Sequence, residues 1–354
     1  MKISITLTEK PKEKPDQNNL GFGQYFTDHM FLLNYAKDKG WHEPRIEPYS
    51  PLSLDPASMV LHYGQEVFEG LKAYKNSNGD IRLFRSIDNI RRFNSSNERL
   101  SIPAIDEDLF TDALNQLVLT DKDWIPELPG TSLYIRPFLI ATDPFLGVRG
   151  SESFLFVIIL SPVGAYYASG MSPTKILAED EDVRAVRGGV GYAKTGANYA
   201  ATIRAQERAK KKGFAQILWI DAIERKYIEE VGTSNAFVMI DGVVITPPLG
   251  GSILPGITRD SCIKILKSWD IPVEERQISI DEIIAASDNN KLDEMFSSGT
   301  AAVVSPVGEL TYRDRTIIIR ENTVGPISQR LYDTLTGIQW GEIPDSFNWT
   351  TKVN

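Results

Sequence analysis

Cysteine is nearly missing from this chain: Cys262 is the only one in 354 residues, so an intrachain disulfide and any multi-cysteine metal site are excluded. Histidine is almost as scarce. His29, His42 and His62 have no paired metal-ligand spacing, which argues against a zinc centre, and no metal is expected. Nor is there a run of about twenty apolar residues able to span a bilayer, or an apolar core behind the polar, charged N-terminus that would mark a signal peptide. Positive charge is in deficit, with a formal net charge of −9 and a pI near 5.1. That balance excludes a phosphate-backbone binder, which needs a basic face to release counterions. Lys210-Lys211-Lys212 reads as the solvated end of a helix. These absences lead us to expect a cytoplasmic protein without nucleic-acid or membrane partners, and Cys262, in an apolar helical pattern, is expected in a core.

What is present is an ordinary globular composition, 42% hydrophobic and 24% charged, in a chain long enough for two cores. The alternation predicts an early strand over 2–8, a strand at the end of 21–35, a short helix and then a strand within 55–74, and a hairpin at Asn78-Gly79-Asp80. A helix capped by Ser86, a one-sided helix over 106–119, and strands over 132–140 and 153–160 complete an α+β unit. The stretch 161–173, with its prolines, glycines and the Tyr166-Tyr167 pair, interrupts the pattern. We therefore expect a smaller N-terminal domain over 1–165, a linker over 166–173, and a larger C-terminal domain over 174–354. In the latter, helices are predicted over 200–212, from the glycine-bearing turn 250–259 through about Trp269, over 280–289 and over 326–339. Strands are predicted over 217–221 and 294–298, with a hairpin around Asp241-Gly242.

One stretch stands out chemically. Arg187 to Tyr199 holds four glycines and a single lysine, Lys194, ahead of a helical segment. Such an amine can hold a nucleotide phosphate or form a Schiff base with a carbonyl. The nucleotide reading fails at Ala193, which stands where a phosphate loop requires glycine, and at the acidic run 179–182, where a buried apolar strand should precede it. A lysine bound to pyridoxal phosphate also needs an acid for the pyridine nitrogen, backbone N–H groups at a helix N-terminus for the phosphate, and a hydroxyl near the ring oxygen. Glu230, Leu254 to Thr258 and Tyr199 offer these.

At these residues the chain resembles a known family. Glu230-x-Gly-x-x-Asn235-Ala-Phe237, Val244-x-Thr246 and Leu254-x-Gly256-Ile257-x-Arg259 are similar to the signature of the fold-type IV pyridoxal-phosphate aminotransferases. Tyr63 with Phe68-Glu69-Gly70, Tyr134-Ile-Arg136-Pro137, Gly164-Ala-Tyr166, 188–199 and Gly299-Thr-Ala301 narrow the resemblance to the branched-chain amino acid aminotransferases. The resemblance implies a two-domain α+β enzyme whose C-terminal domain has a β-rich core and surrounding helices. It implies pyridoxal 5'-phosphate as cofactor and ping-pong transfer of the amino group of leucine, isoleucine or valine to 2-oxoglutarate through a Lys194 Schiff base. Glu230 would pair with the pyridinium, Glu229 beside it being the exposed strand carboxylate. Arg92 would hold the phosphate, with Arg91 solvated. Leu254, Gly256, Ile257, Thr258, Thr233 and Thr300 would complete the cofactor site, and Tyr199 would meet the ring oxygen.

Phe22, Tyr63, Phe68, Tyr134 and Tyr166 would wall an isobutyl-sized pocket, whose burial contributes about 1.5–3 kcal/mol. Arg136 and the turn Thr300-Ala301, with Thr233 near the same site, would bind carboxylates. Val148 would reach across the interface of a homodimer. Two departures are visible: Ala197 replaces a common glycine, and Ala302 and Ser305 stand where animal relatives carry a Cys-x-x-Cys redox pair, so that regulation is expected to be absent. A fold-type IV relative with other chemistry, such as a D-amino acid aminotransferase or an aminodeoxychorismate lyase, would share Lys194 and Glu230 without the aromatic and Arg136 blocks. A noncatalytic cofactor-binding protein would keep only the phosphate site.

Overall fold

The structure, a computed structural model, describes residues 1–164 and 171–353. Its contacts divide the chain into two compact units, one of Met1–Tyr166, Ala193–Gly196 and Gly337–Asn354, the other of Tyr167–Tyr192 and Ala197–Thr336. The expected domains differ from these units in two places. Residues 193–196 belong with the first unit because Phe68 N–H donates to the Lys194 carbonyl at 3.0 Å. Residues 337–354 join it because the strand Thr350–Lys352 pairs with Ile81–Phe84. With these additions the first unit, expected to be the smaller, holds more residues than the second. Ser161 to Val163, read as part of the break, belong to a strand, and most of the expected linker lies outside the described residues.

In the first unit the strands are β1 (Ser4–Ile5), β2 (His29–Ala36), β3 (Gly40–Pro48), β4 (Glu66–Phe68), β5 (Leu71–Lys75), β6 (Ile81–Phe84), β7 (Ser132–Ala141) and β8 (Ser153–Val163). They form a sheet in the order β1-β3-β2-β8-β7-β5-β6, the strand 350–352 following β6 and β4 pairing with β7. As its apolar run predicts, β8 is central, paired with both β2 and β7. The helices are α1 (Met59–Tyr63), α2 (Ser86–Arg99) and α3 (Glu107–Thr120). Asp106 caps α3 by accepting from the Leu109 N–H at 2.9 Å, whereas α2 starts at Ser86 behind Arg85, which has a left-handed backbone.

Period-two alternation gives β7 two distinct faces. Leu133, Ile135 and Leu139 enter the core with Ile90 and Phe93 of α2 and Phe110, Leu114 and Leu117 of α3. There Phe31, Phe93, Phe110 and Phe156 meet edge to face, Phe110 to Phe156 at 4.8 Å. Tyr134, Arg136, Phe138 and Ile140 alternate with these and take the other face. Register carries Glu66 and Phe68 of β4 onto that same face, opposite Ile140 and Phe138.

In the second unit the strands are β9 (Thr174–Glu179), β10 (Gln216–Ile220), β11 (Ile228–Val231), β12 (Ser234–Ile240), β13 (Val243–Thr246), β14 (Val273–Glu275), β15 (Leu292–Gly299), β16 (Val303–Tyr312) and β17 (Arg315–Ile318). The order β11-β10-β9-β16-β15-β12 closes on itself through the β11–β12 pairing, making a barrel with no free edge along that path. Its interior holds Ile176, Leu218, Ile228, Val238, Met295 and Leu310. The β12–β13 turn uses Asp241 and Gly242, both at positive φ, as an Asp-Gly hairpin requires. The helices are α4 (Gly196–Ala200), α5 (Ile203–Lys211), α6 (Ile257–Ser268), α7 (Ile280–Asp288) and α8 (Pro326–Trp340), the last running into the first unit. The helix expected over 200–212 is α5, which starts at Ile203, and the short α4 precedes it. Lys210, Lys211 and Lys212 are exposed at the end of α5, and Cys262 is fully buried in α6, where burial pushes its thiol up to about 12.

Candidate functional site

In the first unit the sheet face opposite the aromatic core collects Phe68, Tyr134 and Arg136. Phe22 meets Tyr134 edge to face at 4.9 Å. The Arg136 guanidinium lies over the Phe68 ring at 4.8 Å and over Tyr134 at 5.3 Å, and its Nη2 donates to the Tyr134 hydroxyl at 2.9 Å. Among the described residues its buried Nε finds no acceptor. A buried guanidinium nitrogen left unsatisfied is costly, and a carboxylate is the group that suits it.

Lys194 is tied to this unit through its backbone. Its carbonyl accepts from Phe68 N–H at 3.0 Å, and its N–H donates to Ser96 Oγ at 2.9 Å. The Lys194 Nζ stands 5.0 Å from the centre of the Phe68 ring. Glu66 Oε1 accepts from Gly196 N–H and from the Thr195 hydroxyl. The lysine is therefore an amine on a fixed backbone.

Arg92 is engaged by Glu69, a residue to which sequence reasoning assigned no role. Its Nε and Nη2 donate to the two Glu69 oxygens at 2.7 and 2.9 Å, Asn89 Nδ2 adds a bond at 2.7 Å, and Gly70 N–H another at 3.0 Å. Burial raises the Glu69 carboxyl, but the charges of Arg92 and Lys194 with these hydrogen bonds outweigh it and hold the group below the usual range. Arg91 is exposed and pairs with Glu107, as its solvated reading expected.

The Tyr63 hydroxyl donates to the Leu146 carbonyl, and its ring stands 6.1 Å from that of His62. Around it Phe145, Leu146 and Val148 are exposed, Val148 at 83%. Tyr166 lies outside the described residues.

In the second unit Glu230, on β11, is buried and charge-paired. Arg184 Nε lies 2.7 Å from its Oε2, while Leu254 N–H donates to Oε1 at 2.8 Å. Arg184 also donates to the Ser252 carbonyl at 2.7 Å, and Asn235 Nδ2 to the Leu254 carbonyl at 2.9 Å. Glu230, Asn235 and Arg184 thus pin the segment that opens α6. The N-cap residue of that helix is Gly256, where an added Cβ would collide with Asn235 Oδ1. Arg259 braces its first turn from behind, donating to the Pro247 carbonyl and Glu275, each at 2.9 Å. Thr258 is buried in that turn, beside Ile257. A helix N-terminus built this way favours an anion.

Glu229 corrects an expectation, since it is buried rather than exposed. All four residues of β11 are buried because the closed barrel covers one side and the segment at Ser252, whose hydroxyl donates to Glu229, covers the other. Burial pushes the Glu229 carboxyl up. Thr233 is exposed in the β11–β12 turn, Thr300 and Ala301 form the β15–β16 turn, and Tyr199 is half-buried on α4, next to Asn198, whose Nδ2 donates to the Val190 carbonyl at 2.8 Å. Sequence reasoning missed Glu66, Glu69 and Arg184. Glu69 sits inside the Phe-Glu-Gly block, the one local signal available.

Comparison with known proteins gives the family. The amino-transferase class IV family matches residues 66–310. A Bacillus subtilis protein named branched-chain-amino-acid aminotransferase 2 is 57% identical over 351 residues, covering 99% of this chain and 97% of its own. The crystal structure of the Escherichia coli branched-chain amino acid aminotransferase has a TM-score of 0.77 at 27% identity, over 92% of this chain and 99% of its own. That of the branched-chain aminotransferase from the thermophilic archaeon Thermoproteus uzoniensis, with norvaline, has a TM-score of 0.75 at 26% identity, over 92% and 100%. With the match running through both β4 and the β-barrel, this chain belongs to the class IV aminotransferases and has their fold-type IV architecture.

Proposed function

We propose that this protein is a branched-chain amino acid aminotransferase that moves the amino group of leucine, isoleucine or valine to 2-oxoglutarate, by alternating half-reactions, with pyridoxal 5'-phosphate as its cofactor. The observation that carries the reading is the first unit's sheet face, where a backbone-fixed Lys194 accompanies Phe22, Phe68, Tyr134 and an Arg136 whose Nε is buried and, among the described residues, unsatisfied. The residues present fit the cofactor. Gly256, which has no side chain, is the N-cap residue of α6, and Glu230 is a buried carboxylate paired with Arg184. When bound, the cofactor supplies an electron sink for the carbon that carries the substrate's amino group.

Within the first unit, Lys194 Nζ would attach the cofactor and then move the proton at the substrate α-carbon. Arg92, oriented by Glu69, would bind phosphate. In the second unit the Ile257 and Thr258 N–H groups would bind phosphate as well, with Leu254 and Gly256 shaping the turn and Thr300 donating its hydroxyl. Glu230 would hold a proton at the pyridine nitrogen, and Tyr199 would orient the ring oxygen. Phe22, Phe68 and Tyr134 would exclude water from the branched side chain. Arg136 would take the second carboxylate of glutamate, and Thr233 and Ala301 would border the substrate's own carboxylate. The exposed Phe145, Leu146 and Val148, with Tyr63, support a homodimer whose partner covers them. A single buried cysteine accords with a reducing, cytoplasmic setting. Among the described residues no helix is long and apolar enough to cross a membrane.

Absorbance of the holoenzyme tests this. Addition of L-leucine should remove the visible cofactor band and 2-oxoglutarate should restore it, while D-alanine leaves it in place. A band that answers to D-alanine and ignores L-leucine would overturn the substrate assignment.

A further inference from the structure

Glu66 is a half-buried carboxylate that the roles above leave unused, and it stands where two of them meet. It lies on the same face of β4 as Phe68, and Phe68 packs under Arg136. Its Oε1 accepts from Thr195 and Gly196, the two residues after Lys194. Burial pushes its carboxyl up, while the Gly196 and Thr195 bonds and the charge of Arg136 pull the other way. So Glu66 is hydrogen-bonded to the lysine segment and shares a strand face with Phe68, the ring over which the Arg136 guanidinium lies at 4.8 Å.

The two half-reactions make opposite demands on that arginine. A guanidinium beside a buried branched side chain needs a compensating charge, whereas a substrate with a second carboxylate brings its own. Resting on the function proposed above, we infer that Glu66 is a specificity-determining residue for the pair of substrates: its carboxylate, fixed by Thr195 and Gly196, balances Arg136 when an apolar amino acid is bound and weakens the hold of Arg136 on an acidic one. Glu66 acts through Arg136 and the Lys194 segment, so it is a positioning residue.

The test is the ratio of kcat/KM for L-glutamate to that for L-leucine, each half-reaction measured alone by single turnover. Glu66→Gln keeps an oxygen for Gly196 and Thr195 but removes the charge, and the ratio should rise about tenfold, the effect of one pKa unit of interaction between neighbouring groups. Glu66→Ala removes the acceptor as well, so kcat should fall for both substrates, and Glu66→Gln should recover it. Glu66→Asp keeps the charge on a shorter stem; kcat should fall for both substrates with the ratio unchanged, which keeps the inference testable if the glutamine variant does not fold. A ratio within twofold of the parent in Glu66→Gln, or a ratio altered in Glu66→Asp, would overturn it. A parent enzyme that transaminates neither amino acid would sink the proposed function instead.

Discussion

Replacing Glu69 by glutamine should cost the cofactor-free protein a large share of its stability. Glu69 is wholly inaccessible, and both of its oxygens face the Arg92 guanidinium, itself buried. The amide introduced by Glu69→Gln would turn an N–H₂ group toward one of the Arg92 nitrogens, removing the Glu69 anion from the pair and setting a donor against donors. Breaking a buried pair from one side costs about 3–5 kcal/mol, against a total of roughly 5–15 kcal/mol for a typical domain. With a urea slope of about 2–3 kcal/mol/M, the unfolding midpoint should drop on the order of 1–2 M. Circular dichroism in urea, run on cofactor-free and cofactor-loaded samples, reads this directly. The loaded sample should lose less, because the proposed phosphate supplies Arg92 with a second anion. Pairing Glu69→Leu with Arg92→Met should cost less than Glu69→Gln alone, since neither charge then remains. A Glu69→Gln midpoint within about 0.5 M of the parent in the cofactor-free state would refute the reasoning.

Lys194→Ala should retain measurable cofactor binding and lose transamination, assayed by glutamate formation from leucine; near-parental turnover would remove Lys194 from its proposed role. Arg136→Leu should lower kcat/KM for glutamate by roughly a hundredfold or more, the scale of losing two charge-assisted bonds, and affect leucine far less; equal losses on both substrates would count against it. Gly256→Ala should weaken cofactor binding in a titration, because the added Cβ collides with Asn235 Oδ1 and displaces the start of α6. Acid should destabilise both units: Glu69 and Asp221, the latter accepting four backbone N–H bonds, are held below their ordinary values, so their contribution is present above an unfolded pKa of about 4 and is lost as pH falls through the folded one. Urea midpoints from pH 6 to pH 3 should fall, less so in Asp221→Asn, and an identical slope in that variant would sink the Asp221 part. Glu66 and Glu229, raised by burial, oppose the trend, since their contribution is lost as pH rises.

Local signals carried well where a short segment decides its own conformation. Asp106 at its helix start, the Asp241-Gly242 turn and the apolar β8 were all legible. The Lys194 loop and the α6 opening were legible as chemistry because glycine and lysine at those spacings have few other uses. β3 was not, since Pro44 and a mixture of Trp, His, Arg and Glu hide its alternation until β2 pairs with it. Nor were β16 and β17, whose register depends on distant partners. The same limit applies to the site: Glu66, Glu69 and Arg184 acquire meaning from residues many positions away, and a carboxylate in a strand looks exposed until a closed sheet buries it, as Glu229 shows.

The strand Thr350–Lys352, set at the edge of the first unit, has a consequence for the order of events on the ribosome. The barrel of the second unit uses strands drawn from 174–312, so every strand of its closed path has been made before the first unit receives its last one. Domains ordinarily mature from the N-terminus onward during synthesis. Here the edge of β6 cannot be covered until residues 350–352 are made, by which point every strand of the barrel's closed path has already been synthesised.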